Sequence, residues 1–341
     1  MENPSLEEWA RLFQITEQFK KAAPWQWIAS EDIFAVANPQ DGEIGYCSIL
    51  GNGEDEFGLG IFLGTKGYER YLRIISGEPE VDDYTDIIMT PLLSLLFADR
   101  QDMQKQDIET IRSLGLKFRG KNAWPQFRIQ RPGYAPWFLE KEEALFLTIA
   151  LEQALIIGDR VRNNNLDLYE EVDEDRILTR YYYKGEWQEE WRQPEMSHQR
   201  TSKSKEATAD VVNEAELILL RTSSGKPYGS WELDIFIFPV PIGPQSSRPY
   251  FPLCFLTVDR QQGIIIDTQM IEPWATLSQQ RDVIVQVLRK ALQLPRNIHV
   301  GTTRVAEILE PITKSLGIDL RIGAIPMLEG FKQSLDDYFS E

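Results

Sequence analysis

The apolar and polar positions of the first half predict one helix, then strands, then alternating helices and strands. Ser5 and Glu8 have the spacing of a capping box, and apolar residues recur behind them at helical intervals until Pro24. IFAVANP, EIGYCSILG and FGLGIFLG predict three strands separated by turn residues, and the strand glycines of GLGIFLG predict close packing. Beyond them we predict helices near 66–76, 103–114 and 140–161 and a strand near 124–130, while PLLSLLF fits either type.

The second half has a clearer pattern. WELDIFIFPVP, PYFPLCFLTVD and GIIIDTQMI predict three strands, the last two joined through RQQG. A helix capped by Thr276 and Gln279 follows, then the strand NIHVG, the helix TTRVAEILEPITKSLG, the strand IDLRIG and a terminal helix. Pro311 is expected to kink or split the helix that contains it. The order β-β-β-α-β-α-β-α is that of the ribonuclease H-like fold, a mixed sheet covered by helices.

The composition between the halves predicts two domains. NNNLDLYEEVDEDR is acidic and MSHQRTSKSKEATAD is polar, while ILTRYYYKGEWQEEW between them predicts a hairpin turning at Lys184-Gly185. We predict an N-terminal α/β domain over 1–165, an acidic, aromatic hairpin with a polar linker over 166–210, and a ribonuclease H-like domain over 211–341. The fold class is mixed-sheet α+β. Three strands and a helix also open the first half, so we expect the first domain to be similar to the second.

Composition and charge exclude several classes of function. The chain has 341 residues, 42% of them hydrophobic, and a net charge of −17, which argues against nonspecific binding of nucleic acid and favours a soluble protein or one with basic partners. The stretch ALFLTIALEQALII is shorter than the ~20 residues of a membrane span and contains Glu152, so we expect a core helix and no membrane partner. The start, MENPSLEEWARL, does not have the pattern of a signal peptide. Cys47 and Cys254 lie in apolar strands and predict reduced, buried thiols, as in cytoplasmic proteins.

Three carboxylates are the candidate catalytic residues if the protein is an enzyme. Ribonuclease H-like enzymes hold two metal ions with converging acidic residues, and Asp234, Asp259 and Glu329 are the acids whose positions come nearest to that pattern. The end of the fourth strand, where such enzymes carry a second aspartate, reads Gly301-Thr302. We therefore favour structural roles: Asp259 accepts hydrogen bonds from the RQQG turn, and Asp234 lies at a sheet edge and pairs with a Lys or Arg.

No other pattern predicts a cofactor or a metal ion. His198 and His299 are the two histidines of the chain and stand far apart in sequence. The chain contains no CxxC, HExxH or GxSxG spacing, and SSGKPYG does not have the first glycine of a phosphate-binding loop. We therefore expect no metal site and no cofactor.

Aromatic residues beside turns and prolines are the remaining signal for recognition. YYYKGEWQEEW concentrates tyrosine and tryptophan in a short segment, and WPQFRIQRPGYAPWF adds aromatic side chains among prolines. Such residues are common in contact surfaces, and they equally suit packing between domains. The candidate binding residues are Tyr181, Tyr183, Trp187, Trp191, Trp124 and Trp137.

The strand and turn motifs resemble those of known bacterial families. WELDIFIFP, RPYFPLCFLTVDRQQGIII, SLGIDLRI and IPMLEGF are similar to the second half of two-domain proteins classified as tandem domains of unknown function. IFAVANPQDGEIGYCSILGNGEDEFGLGIFLG resembles the domain that precedes it there. The resemblance implies a bacterial, cytoplasmic protein and transfers no catalytic residue to this chain.

These observations favour a non-catalytic protein that acts through a protein partner or as a regulatory module. One alternative is a divergent metal-dependent phosphodiesterase or nuclease-like domain that uses Asp234 with Asp259 or Glu329. Another is a protein that binds a small ligand in a cleft between its two domains.

Overall fold

The chain forms two compact units. The computed structural model describes residues 2–53, 56–76, 88–168, 176–196, 214–223, 225–244, 247–291 and 293–340. The first unit contains residues 1–132 and 136–199, and the second contains 133–135 and 200–341. The acidic run at 170–175, His198 and most of the predicted polar linker lie outside the described residues.

A seven-stranded mixed sheet forms the first unit. Strands β1 to β5 are an antiparallel meander, and β6 then joins the sheet parallel to β1 and antiparallel to β7. The order across the sheet is β5-β4-β3-β2-β1-β6-β7. The strands are β1 (Phe34–Ala37), β2 (Ile44–Leu50), β3 (Gly58–Leu63), β4 (Leu92–Ala98), β5 (Trp124–Gln130), β6 (Ile177–Tyr183) and β7 (Glu186–Arg192).

Helices cover both faces of this sheet. The predicted capping box of the first helix is confirmed, since Ser5 N donates to Glu8 Oε2 at 2.7 Å and Glu8 N donates to Ser5 Oγ at 3.2 Å. The main core lies under the first and fourth helices, and a smaller aromatic core around Tyr46 and Tyr71 lies under the second. The helices are α1 (Leu6–Ala22), α2 (Gly64–Ser76), α3 (Lys105–Ser113) and α4 (Lys141–Arg162), with short 3-10 turns at Pro24–Gln26 and Arg100–Asp102.

The first sheet departs from the expected similarity to the second domain at its fourth strand. In the ribonuclease H-like order the fourth strand lies beside the first, but PLLSLLF forms β4 and pairs with β3. β6 takes the place beside β1, so the aromatic hairpin completes the first sheet and is not part of a separate segment between domains. Its turn is at Lys184-Gly185, where both residues have positive φ. The packing role predicted for the strand glycines is confirmed at Gly58, where an added Cβ would overlap the Leu95 carbonyl oxygen.

The second unit has the ribonuclease H-like fold. Its sheet order is β10-β9-β8-β11-β12, with the first three strands antiparallel and β11 and β12 parallel to β8. The first strand of the domain is therefore central, flanked by the second and the fourth. The strands are β8 (Ser230–Ile237), β9 (Leu253–Asp259), β10 (Ile265–Ile271), β11 (Asn297–Val300) and β12 (Asp319–Ile322).

The last helix packs on one face of this second sheet. It contacts β8 and β9 through an apolar cluster that includes Phe236, Leu256, Ile325 and Leu328. Pro311 lies within one continuous helix, so the predicted split does not occur. The helices of the unit are α5 (Glu214–Ser223), α6 (Leu277–Lys290), α7 (Thr303–Leu316) and α8 (Pro326–Ser340).

Both cysteines are free and buried, as predicted. Burial raises the pKa of the Cys47 thiol, and burial together with the Asp234 carboxylate raises that of Cys254 to about 12. The thiols are therefore protonated at neutral pH and pack as small apolar groups. No helix within the described ranges is both long enough and apolar enough to cross a bilayer.

Candidate functional site

The three candidate catalytic carboxylates do not converge. Asp234 lies on the central strand β8, so its predicted place at a sheet edge is wrong. It is buried on the face of β8 toward α8 and pairs with Lys332. Asp259 is paired in register with Trp231, three residues and about 10 Å along β8 from Asp234 and on the opposite face of the sheet. Glu329 is exposed on the first turn of α8. Two metal ions about 4 Å apart need shared carboxylates, and the described residues contain no group of three His, Cys, Asp or Glu that could hold an ion.

Local contacts explain the roles of Asp259 and of Gly301, the residue at the end of the fourth strand. The turn role predicted for Asp259 is confirmed, because its Oδ1 accepts from the backbone N–H groups of Gln261 and Gln262, both at 2.8 Å. At the end of the fourth strand, an added Cβ at Gly301 would lie 3.0 Å from Ile325 Cδ1. An apolar side chain therefore occupies the place that a second catalytic acid would need.

Glu232 is a buried carboxylate that the sequence analysis did not identify. Its Oε2 accepts from the backbone N–H groups of Met327 at 2.9 Å and Leu328 at 3.1 Å, in the first turn of α8. Its Oε1 lies 3.5 Å from Arg260 Nε. A carboxylate at a helix N-terminus satisfies free N–H groups and complements the helix dipole. The signal in WELDIF was the i, i+2 spacing of Glu232 and Asp234, which places both on one face of the strand.

His299 lies opposite Glu232 on the neighbouring strand β11. Burial and the nearby cations Arg260 and Arg321 lower its pKa, so the imidazole is neutral at pH 7. Its surroundings are those of a packed, partly buried histidine beside cations.

Most of the candidate binding aromatics pack inward. Trp124, Trp187 and Trp191 are partly buried against the main core of the first unit. Trp137 is half-buried, pairs with Ile129 across an isolated bridge and contacts Phe138, so it belongs to the same unit. These four side chains support the fold and leave Tyr182 and Tyr183 as the exposed aromatic residues of the hairpin.

Replacing Trp187 and Trp191 together with alanine is expected to lower the free energy of unfolding of the first unit by about 2–4 kcal/mol. Each substitution removes an aromatic side chain from the edge of the core and leaves a cavity or exposed apolar surface. Urea denaturation followed by circular dichroism measures the loss. The matched control is Tyr183→Ala in the same hairpin, which should change stability by no more than about 0.5 kcal/mol because the side chain is 51% exposed. Equal effects of the two variants would contradict the assignment.

An acid-lined cleft opens on the first unit. We call it the acidic cleft, and its volume is about 430 Å³, within the range of small-ligand and side-chain pockets. β2, the start of α2, β6 and the segment after β7 form its walls, so it exists only because the hairpin joins this sheet. It is lined by Gly42, Glu43, Ile44, Tyr46, Gly64, Thr65, Ile177, Thr179, Arg192, Gln193, Pro194 and Glu195.

The electrostatics of the acidic cleft are unbalanced. Burial, with a contribution from Asp41, raises the pKa of Glu43 above its ordinary value. Burial also raises the pKa of Tyr46 to about 12, with smaller effects from Tyr68 and the Glu195 carboxylate. No ion pair joins Glu43 or Glu195 to a cation within the described ranges of the chain. The cleft thus holds two carboxylates that form no ion pair among the described residues, and a phenol that remains a hydrogen-bond donor.

The arginine of the cleft is already engaged. Arg192 forms an ion pair with Glu190, and its guanidinium carbon lies 4.4 Å from the centre of the Tyr181 ring. Tyr181 and Tyr183 follow Thr179 at alternate positions of β6, so they stand on the face that lines the cleft. Tyr182 points to the other face, against Trp187. Two of the candidate binding residues, Tyr181 and Tyr183, therefore lie on the same face of the sheet as the acidic cleft.

Comparison with known proteins identifies two domain families. The model described as "Domain of unknown function (DUF7309)" matches residues 9–180, and "Domain of unknown function (DUF6930)" matches residues 219–336. A comparison with curated proteins gave no match. Three chains of solved structures match. One is the catalytic core domain of BIV integrase, at 20% identity and a TM-score of 0.23, over 32% of this chain and 64% of that one.

The chain thus spans less than two thirds of that integrase core. The ribonuclease H-like fold of the second unit is evident from its own strand order. The first family model covers just over half of the chain. The protein therefore belongs to the DUF7309 family and carries a DUF6930 domain in tandem behind it.

Proposed function

We propose that the protein is a non-catalytic interaction module whose acidic cleft binds a basic side chain of a partner protein. The observation that carries the proposal is the Glu43 carboxylate, which lines the acidic cleft and forms no ion pair among the described residues. Partial desolvation of this carboxylate raises its pKa, which shows that its surroundings disfavour the charged form. A lysine or arginine side chain entering the cleft would supply the missing charge.

The remaining groups of the cleft suit the same occupant. The carboxylate of Glu195 can also pair with the bound cation. The hydroxyl oxygens of Thr65 and Thr179 can accept hydrogen bonds from the other N–H groups of that lysine or arginine. Tyr183, with half of its side chain exposed, offers an aromatic face on which the segment carrying the basic residue can pack. The net charge of −17 would steer a basic partner toward the protein.

A peptide array tests the proposal. The array presents peptides with a single lysine or arginine among apolar residues, each beside a matched peptide with acetyl-lysine or citrulline, at an ionic strength of about 0.15 M. We expect the charged peptides to bind and the matched neutral ones to be rejected. Isothermal titration calorimetry with the best peptide then gives the affinity. Absence of binding by any charged peptide, or equal binding of the neutral set, would contradict the proposal.

Replacing Glu43 and Glu195 with glutamine is expected to lower the affinity for that peptide by about tenfold or more, since a charge-assisted hydrogen bond is lost. The matched control is Glu307→Gln and Glu310→Gln, two exposed acids of α7 that change the net charge equally. The control should leave the affinity within a factor of about two, because exposed charges contribute little at this ionic strength. Equal losses in both variants would indicate general attraction to an acidic protein and would rule out a specific site.

The single change Glu43→Gln is expected to leave the first unit as stable at pH 7 as before, or more stable. The pKa in the folded protein is raised above the reference value of 4.5. The folded state therefore binds more protons than the unfolded chain between these values, and the penalty on the carboxylate is absent well below pH 4.5 and complete above the folded pKa. Glutamine removes the penalty at neutral pH. Thermal melts at several pH values measure the effect, and a lower melting temperature at pH 7 would reveal a stabilising partner of Glu43.

A further inference from the structure

A second cleft of the first unit carries the opposite charge. It lies beside the C-terminal half of α1, has a volume of about 520 Å³, and we call it the basic cleft. Four cations line it, and Glu17 is the one carboxylate among its lining residues. Such a concentration of positive charge is unexpected in a chain with a net charge of −17. The cations are Lys20, Lys21, Lys117 and Arg119.

The walls of the basic cleft are apolar and well supported. Phe97 and Phe118 line it together with Pro125. The Phe118 ring packs against Trp124 with ring centres 5.8 Å apart, which fixes its orientation. Lys20 Nζ lies 4.8 Å from the centre of the Phe97 ring and donates to the Asn122 carbonyl oxygen at 2.6 Å. Lys20 is therefore held in place, while the other cations extend toward solvent.

A buried threonine lines the same cleft. Thr16 lies on α1, one turn before Lys20, and is only 1% exposed. Its Oγ1 has no hydrogen-bond partner among the described residues, although it is buried. A buried hydroxyl without a partner is unfavourable and rare. An oxygen atom of a ligand bound in the cleft would satisfy it.

We propose that the basic cleft binds a small organic phosphate with a flat apolar body. Lys21, Lys117 and Arg119 would hold the phosphate, since convergent cations, and arginine above all, suit phosphate oxygens. The apolar body would lie along Phe97 and Phe118, and the Thr16 hydroxyl would donate to a polar atom of the ligand. The confined size of the patch, in an acidic chain, favours a small molecule over a nucleic-acid strand.

The test uses the full chain and a panel of aromatic phosphates: phenyl phosphate, adenosine monophosphate and flavin mononucleotide. Thermal shift and isothermal titration calorimetry measure binding, with inorganic phosphate and adenosine as separate arms. We expect at least one aromatic phosphate to raise the melting temperature and to bind at least about tenfold more tightly than inorganic phosphate or adenosine. The inference is overturned if no member of the panel changes the melting temperature, or if inorganic phosphate binds equally well.

Two variants locate the site. Lys117 and Arg119 are exposed in the free protein, and replacing both with alanine should lower the affinity for the aromatic phosphate about tenfold or more. Thr16→Val should lower it about tenfold. Lys105→Ala, an exposed lysine of α3 outside the cleft, is the matched control and should bind as the unchanged protein does. Unaltered affinity in the Lys117 and Arg119 variant would overturn the inference even if Thr16→Val proved unstable. The acidic-cleft variants should bind the phosphate normally, which keeps the two proposals separate.

Discussion

Replacing Asp107 with alanine is expected to lower the free energy of unfolding of the first unit by about 3–5 kcal/mol. Asp107 and Arg128 form a bidentate ion pair, with Nη1 to Oδ1 at 2.8 Å and Nη2 to Oδ2 at 2.6 Å. Their side chains are only 10% and 9% exposed. Removing the carboxylate leaves the guanidinium buried without its counter-charge against the Phe138 ring. The same substitution removes the side-chain acceptor of the Gln104 N–H group at the start of α3.

Urea denaturation, read through hydrogen exchange of the β4 and β5 amides, measures this loss in the first unit alone. Glu109→Ala on the same helix is the matched control, because its pair with Lys105 is exposed, and it should change stability by no more than about 0.5 kcal/mol. The double variant Asp107→Leu with Arg128→Met should recover much of the loss, since no charge is left buried. A loss below about 1 kcal/mol for Asp107→Ala would class the pair with ordinary surface ion pairs.

Glu232→Ala is the second substitution with a large expected effect. It should lower the free energy of unfolding of the second unit by about 3–5 kcal/mol. Glu232 is fully buried, and its carboxylate accepts the N–H groups of Met327 and Leu328. Without it these donors at the start of α8 lose a charged acceptor, and the guanidinium of Arg260 loses its nearby carboxylate. We therefore expect α8 to detach from the sheet before the rest of the unit unfolds.

Hydrogen exchange at α8 and urea denaturation together report this effect. The control is Asp319→Ala on β12, whose pair with Arg321 is exposed and which should cost no more than about 0.5 kcal/mol. Glu232→Gln keeps an acceptor oxygen and should lose less than Glu232→Ala. If Glu232→Ala left the exchange of α8 unchanged, the apolar face and the Lys332–Asp234 ion pair would hold the helix without a contribution from Glu232.

Local signals in the sequence predicted the elements well. Capping boxes such as that of Thr276 and Gln279 are contacts between residues three apart, so they are legible without the fold. The strand order of the second unit also followed from the sequence, because hairpins and right-handed crossovers leave few alternatives. PLLSLLF was ambiguous, since a short apolar run has no periodicity to separate strand from helix.

Features that depend on strand pairing between distant segments could not be predicted from the sequence. The parallel contact of β6 with β1 joins segments far apart in the chain, and no local pattern marks it. That contact turns Trp187 and Trp191 inward and brings Glu195 to the cleft that holds Glu43. The acidic cleft was therefore invisible in the sequence, although Tyr181 and Tyr183 beside it were identified as candidate binding residues.

The carboxyl group of Glu43 offers the most direct test of the acidic cleft as a binding site. Carbon-13 NMR of glutamate-labelled protein follows its titration alone and with a saturating lysine or arginine peptide, with Glu43→Gln for assignment. Burial raises the pKa of Glu43 in the free protein, and an adjacent cation favours the charged form. We predict that the peptide lowers the pKa of Glu43. A Glu43 titration that the bound peptide leaves unchanged would contradict the acidic cleft as its binding site.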